Sequence, residues 1–457
     1  MNQPLLGWLG IVRLGLVQTA LGSIVVLTTS TINRVIVVEL ALPAMLPGAL
    51  VALHYAVQVL RPRLGHGSDA GGRRTPWIVG GMVVLALGGL SASIATAWMS
   101  TEPLFGVLLA IPAFLAIGIG VGCAGTSLLV LLATRVTPRR RPAAATIVWV
   151  MMIVGFILTS AIGGRFLDPF TPLRLVQVTA CVAALALLLS LVAVYGIESP
   201  QSSNAPDLAP SPEPMPATES KPTKPAFREA LREVWGEPQA RRFTIFVFIS
   251  MLAYSAQDLI LEPFAGLVFG LTPGQSTQLS GVQNSGVLVG MVLVACLGTG
   301  VGGPRFGSLR GWTITGCLLS ACALAALALA GWVGPGWPLN PTVFALGFAN
   351  GMFAVAAIGS MMGLASDGAP AREGVRMGLW GAAQAIAFGG GGFLGTVAVD
   401  CTRWLIGSPV TAYGIVFVAE AALFLLSVGL APARVPHQAG EGLESAPGSR
   451  SPIVSAT

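Results

Sequence analysis

Runs of 18 or more apolar residues recur along the whole chain, each long enough to cross the ~30 Å hydrocarbon core of a bilayer as an α-helix. Only 10% of the 457 residues are charged, whereas soluble proteins carry about a quarter. The pattern predicts an all-α polytopic membrane protein. We expect twelve transmembrane helices over residues 15–40, 44–60, 76–98, 104–134, 143–164, 174–196, 243–270, 278–299, 311–333, 341–366, 375–400 and 408–431.

A Pro- and Ser-rich segment separates the sixth predicted helix from the seventh, and such a composition cannot bury a core. The halves on either side repeat each other at an offset of 232 residues, which aligns Ala133 with Ala365 and Pro138 with Pro370. A parallel six-plus-six repeat is typical of one secondary-transporter architecture. We therefore expect an N-terminal six-helix bundle (1–196), a cytoplasmic linker (197–242), a C-terminal six-helix bundle (243–431) and a disordered cytoplasmic tail (432–457).

The arginines predict the orientation in the membrane. With the N-terminus inside, almost all loop arginines fall on the cytoplasmic side, and only Arg165, Arg174 and Arg403 fall on the opposite side. By the positive-inside rule both termini are cytoplasmic. This bias explains the positive net charge. The sequence has no basic stripe with interleaved aromatic residues, so we expect no nucleic-acid partner.

The loop between the second and third predicted helices, GHGSDAGGRRTPW, resembles the signature loop of the major facilitator superfamily. Its matching positions are Gly65, Asp69, Gly72, Arg73 and Arg74, although a basic residue common after the aspartate is absent. The resemblance implies the major facilitator fold and a cytoplasmic latch between conformations at this loop. The alternative is an ordinary positively charged turn.

Four charged residues lie within predicted helices one and seven, where charge is costly and usually marks function. Arg34 lies about 9 Å below the end of the first helix at ~1.5 Å per residue. On an α-helix Arg34 and Glu39 point roughly 140° apart, so we expect no good pair between them. We expect Arg34 to pair instead with Asp258 or Glu262 across the two halves, as a gate. Two alternatives stay open: Glu39 lies at the interface with Arg34 reaching towards it, or the carboxylates carry protons.

The segments TINRVIVVEL, GHGSDAGGRRTPW and QDLILEPFAGLVFGL are similar to those of the bacteriochlorophyll delivery family, the PucC/LhaA-type branch of the major facilitators. The resemblance implies a protein that handles or delivers (bacterio)chlorophyll during light-harvesting complex assembly or pigment biosynthesis. It implies (bacterio)chlorophyll or its precursors as cargo, with light-harvesting polypeptides or pigment-synthesis enzymes as partners. It also implies a location in the bacterial cytoplasmic membrane, in its intracytoplasmic photosynthetic part.

His54 is the one histidine within a predicted helix and is the candidate pigment ligand, since imidazole is a ligand that magnesium in chlorophyll accepts. The alternative is a packed histidine bonded to a neighbouring carbonyl. The glycine runs at 118–125 and 388–395 predict either close helix packing or room for a flat macrocycle. No covalent cofactor and no metal site are expected.

The sequence carries no P-loop, no nucleophile–base constellation and no metal-ligand spacing. We therefore expect that the chain is not an enzyme. Two alternatives to pigment delivery remain open: a proton-coupled transporter of a small amphipathic solute, and a non-transporting assembly scaffold.

Overall fold

The computed structural model describes residues 6–58, 73–137, 140–198, 227–297, 308–366 and 373–431, and within them the regular structure is helical, with no strand. The helices are α1 (Trp8–Glu39), α2 (Met45–Val57), α3 (Thr75–Met99), α4 (Pro103–Arg135), α5 (Arg141–Leu167), α6 (Pro172–Val194), α7 (Phe227–Gly236), α8 (Pro238–Phe269), α9 (Pro273–Cys296), α10 (Leu309–Val333), α11 (Leu339–Ser366), α12 (Glu373–Ile406) and α13 (Pro409–Leu430).

Eleven helices in the described part of the chain are long and apolar enough to cross a membrane. They match eleven of the twelve predicted spans. The remaining span, predicted over 44–60, is described as the shorter helix α2. Several helices extend past the predicted ends: α1 begins at Trp8 rather than 15, and α12 runs to Ile406 rather than 400. A hydropathy window ends where polar residues enter, whereas the helical backbone continues through them.

The end of the predicted linker 197–242 is helical in the described residues. Helix α7 lies inside it, and α8 begins at Pro238, before the predicted 243. The segment FREALREVWG places apolar residues at helical spacing, and Val234 is buried. Proline is favourable at the first position of a helix, which explains the start of α8.

Each half of the chain has its own apolar core. One large cluster of buried residues comes from α1–α6, with Leu259 as its one contribution from the second half. A second cluster comes entirely from α8–α13. We call the membrane face at which α1 begins and α13 ends the terminal face, and the opposite face the distal face.

Both halves cap the terminal face with an arginine. Arg13 of α1 donates to the Val192 carbonyl at 3.4 Å and to the Tyr195 carbonyl, at the end of α6. Arg242 of α8 donates to the Gly429 carbonyl at 2.7 Å, at the end of α13. In both halves an arginine of the first helix therefore covers the carbonyl end of the last, where a cation is favourable.

The glycine runs serve close helix packing. A Cβ on Gly118 would lie 2.6 Å from the His54 carbonyl oxygen of α2, and one on Gly391 would lie 2.5 Å from the Leu252 oxygen of α8. Backbones approach this closely only where the side chain is a hydrogen.

Candidate functional site

The distal part of α1 contains two π-helical segments, Leu27–Thr31 and Val35–Glu39. In the second, the Leu40 amide donates to the Val35 carbonyl at 3.0 Å. Because π-helical hydrogen bonds join residues five apart, such residues return to nearly the same face. π-Turns inside α-helices are frequent at functional sites.

This geometry corrects the prediction that Arg34 and Glu39 diverge. The Arg34 guanidinium forms an ion pair with the Glu39 carboxylate on the same helix. Arg34 is 2% exposed and Glu39 is 33% exposed. The prediction assumed α-helical spacing, and the π-turn brings the two side chains together.

Arg34 also reaches the second half of the chain, although not by the predicted ion pair with Asp258 or Glu262. Its Nη2 donates to the Leu271 carbonyl at 2.5 Å, just after α8 ends. The guanidinium lies against Gly266, where an added Cβ would be 3.1 Å from Nη2. The contact between the halves is therefore to main chain, and Gly266 provides the space for it.

Glu262 is nevertheless close to Arg34, which acts on its carboxylate electrostatically. It is buried, and the Ser280 hydroxyl of α9 donates to its Oε1. Among the described residues its Oε2 has no hydrogen-bond partner. Asp258, one turn earlier on α8, interacts with the side chain of Gln283.

Two neighbouring side chains join α1 to the second half. The Thr31 and Thr277 hydroxyls are 2.9 Å apart, and Asn33 Nδ2 donates to the Leu259 carbonyl at 2.6 Å. All three polar side chains are buried. Sequence reasoning missed Thr31 and Asn33, although both lie in the segment that carries Arg34. We call Arg34, Glu39, Asp258 and Glu262 the central cluster.

Glu420 of α13 was also missed. It is 2% exposed, and neither carboxylate oxygen has a hydrogen-bond partner among the described residues. It interacts electrostatically with Asp258. A single glutamate in the apolar run VFVAEAALFLL was the signal available in the sequence.

Three half-buried aromatic side chains meet between the halves beside Asp258. The Phe388 ring of α12 lies 5.8 Å from the Tyr55 ring of α2 and 5.8 Å from the Tyr254 ring of α8. Tyr254 interacts electrostatically with both Asp258 and Tyr55. We call these three residues the aromatic group. It supplies flat apolar surface next to carboxylates.

His54 packs inside the first half and does not belong to the central cluster. It is buried, its Nε2 is 3.0 Å from Gln58 Nε2, and its ring meets the edge of Tyr55. Its backbone lies against Gly118 of α4. Its role as a pigment ligand stays a prediction. Within the described residues no group of three or more His, Cys, Asp or Glu side chains is placed to hold a metal ion.

The predicted latch loop is described only at its end, since Gly65, Asp69 and Gly72 lie outside the described residues. The Glu198 carboxylate accepts from the Arg74 amide at 2.9 Å and from the Thr75 amide at 2.7 Å. Arg73 Nη2 donates to the Glu198 carbonyl at 3.3 Å. Glu198 therefore caps the start of α3 within the first half.

The comparisons with known proteins agree with this architecture. The model of the PUCC protein family matches residues 31–436. The "Bacteriochlorophyll synthase 44.5 kDa chain" of Rhodobacter capsulatus is 52% identical over 93% of this chain and 95% of that protein. "Protein PucC" of the same species is 28% identical over 92% of this chain and 91% of that protein.

Solved structures confirm the major facilitator fold. A D-xylose-proton symporter matches with a TM-score of 0.63 and 15% identity, over 91% of this chain and 96% of that one. A peptide transporter matches with a TM-score of 0.64 and 14% identity, over 94% of this chain and 96% of that one. Likeness at this identity shows the fold alone.

One expectation is contradicted by these comparisons. The chain was expected not to be an enzyme, yet the relative with 52% identity carries the name of a chain of bacteriochlorophyll synthase. The expectation rested on the lack of familiar catalytic motifs, and a motif search recognises only chemistry that uses those motifs.

Proposed function

Because the chain belongs to the PUCC protein family, we propose that it handles (bacterio)chlorophyll or its precursors within the membrane and delivers them during pigment synthesis or light-harvesting complex assembly. The observation that carries the proposal is the aromatic group beside the central cluster, between the two halves. Flat macrocycles stack on aromatic side chains, and a ligand site combines apolar walls with a few placed polar groups.

The central cluster and Glu420, which interacts with Asp258, supply the polar groups of this site. Glu262 and Glu420 are buried with carboxylate oxygens that no described residue satisfies. Such groups are costly unless they are protonated or find a partner. A tetrapyrrole brings polar substituents at its rim, and these are suitable partners for Asp258, Glu262 or Arg34.

The name of the relative with 52% identity supports a role close to pigment synthesis. We propose the photosynthetic membrane as the location and the terminal face as cytoplasmic, since Arg73, Arg74, Arg135, Arg241 and Arg242 lie at that face. Light-harvesting polypeptides or pigment-synthesis enzymes are the proposed recipients.

The test is the absorption spectrum of the protein purified in mild detergent from a phototrophic host. An Arg34→Ala/Asp258→Ala variant of equal yield is compared with Arg174→Ala, which removes a partly exposed arginine whose side chain, among the described residues, bonds to the nearby Pro169 carbonyl at 3.0 Å. We expect tetrapyrrole absorption in the wild type and in Arg174→Ala, and its loss in the double variant.

Two outcomes would contradict the proposal. Pigment retained equally in all three proteins would place binding outside the central cluster and favour a scaffold. A colourless wild type whose solute uptake collapses with an uncoupler would instead indicate a proton-coupled transporter that uses the buried carboxylates.

A further inference from the structure

A carboxylate joins the two halves at the distal face, away from the central cluster. Asp168 follows directly after α5. Its Oδ2 accepts from the Thr272 hydroxyl at 2.6 Å and its Oδ1 accepts from the Gly274 amide at 3.2 Å. Thr272 and Gly274 form the start of α9, in the other half of the chain.

A second carboxylate makes the corresponding contact on the other side of the molecule. Asp400 of α12 accepts from the Ala44 amide at 3.1 Å through Oδ1, and from the Met45 amide at 2.7 Å through Oδ2. These amides form the start of α2, again in the opposite half. The repeat offset of 232 residues carries Asp168 onto Asp400.

Close packing accompanies each carboxylate four residues earlier on its helix. A Cβ on Gly164 would lie 2.7 Å from the Gly274 oxygen of α9. Thr396, the repeat counterpart of Gly164, contacts Gly48 of α2 so closely that a Cβ on Gly48 would collide with its hydroxyl. The two interfaces therefore share both a carboxylate and a small-residue contact.

We propose that Asp168 and Asp400 are a symmetry-related pair of clasps that hold the two halves together at the distal face. Each places a negative charge on the free amides at the start of a helix, where an anion is favourable. Both lie across the boundary between halves, so the distal face opens only when both carboxylates leave their helix ends. This role is independent of what the protein carries.

The test measures how often the distal face opens. Thr277 is buried between the halves and bonded to Thr31. In a background without native cysteines, Thr277→Cys is labelled by a membrane-impermeant maleimide added from each side of the membrane in turn. The labelling rate from the distal side reports the open fraction even when that fraction is small.

Helix-end charge interactions of this kind predict that Asp168→Asn or Asp400→Asn raises the rate about two- to fivefold, and the double variant about three- to thirtyfold. Glu102→Gln is the matched control. It changes an exposed carboxylate at the distal face that makes no side-chain bond to its own helix end, and its rate is expected to equal the wild type.

An unchanged rate in the double variant would overturn the proposal. Amide hydrogen exchange on the full-length protein without the added cysteine provides the second measurement. Faster exchange at Gly274 and Met45 in the Asn variants, with helix-interior amides as slow as in wild type, supports the clasps in a folded protein. Equal protection at both amides in wild type and variants overturns them.

Discussion

The distal face and the central cluster treat the internal repeat in opposite ways. At the distal face Asp168 and Asp400 are repeat counterparts, and each caps a helix of the other half. At the centre the repeat is broken: the counterpart of Arg34 is Gly266, and the counterpart of Glu39 is Leu271. Arg34 pairs with Glu39, donates to the Leu271 carbonyl and lies against Gly266.

The difference separates what the fold needs from what this chain adds. Contacts that obey the repeat occur twice and serve the joining of the halves. The charged contacts of the centre occur once, and they depend on the π-helical turn of α1, whereas α8 ends at Phe269, within the corresponding region 267–271. We therefore expect function to depend on the asymmetric centre. We expect conformation to depend on the paired contacts of the distal face around Asp168 and Asp400, which we call the symmetric rim.

The largest effect is expected for Arg34→Ala, which removes the buried partner of Glu39 and the donor to Leu271. Breaking a buried ion pair costs ~3–5 kcal/mol, and we expect the lower end because Glu39 keeps contact with solvent. The measurement is thermal unfolding in detergent. An unfolding temperature equal to that of the partly exposed control Arg174→Ala would contradict the central role of Arg34.

Gly274→Ala is expected to follow, with a loss of about 1–3 kcal/mol from overpacking. Its Cβ would collide with the Gly164 backbone, which cannot rotate away. Gly48→Ala, which meets the Thr396 side chain, should cost less. Gly80→Ala is the control, with nothing within 4 Å of its Cβ. Equal stability of all three variants would show that the rim is not tightly packed.

Glu198→Ala is expected to lose about 0.5–2 kcal/mol, the usual loss when a helix cap is removed. The second half has Leu430 at the corresponding position, so this cap is specific to the first half. The Glu102 side chain at the start of α4 makes no such cap, so Glu102→Ala should leave the free energy of unfolding unchanged. The same unfolding measurement applies, and a neutral Glu198→Ala would contradict a capping role.

Glu262→Gln should have the smallest effect, below about 1 kcal/mol. The amide oxygen still accepts from Ser280, and Oε2 has no partner to lose among the described residues. Ser280→Ala should cost more, about 1–3 kcal/mol, because it removes the hydroxyl that donates to a buried carboxyl group. The reverse order in an unfolding comparison would indicate that the charge of Glu262 is itself stabilising.

Much of the fold could be predicted from the sequence, because a membrane span is determined by the length of an apolar run. The repeat was visible in the sequence as matching residues at a fixed offset. The charges of α1 and α8 were visible because they interrupt apolar runs. The Arg34–Glu39 pair was only an alternative in the sequence analysis, because α-helical spacing separates the two side chains and π-helical spacing depends on tertiary contacts. Asp168 and Asp400 resemble ordinary loop and helix-end residues until the fold places a helix start against each.

The central claim is that pigment binds at the asymmetric centre and not at the symmetric rim. The most direct measurement is the ratio of tetrapyrrole to polypeptide in two purified variants, Tyr254→Leu/Phe388→Leu and Asp168→Asn/Asp400→Asn, beside the wild type. We predict that the first variant loses the pigment and that the second retains it. Pigment retained in the first variant and lost in the second would contradict the account.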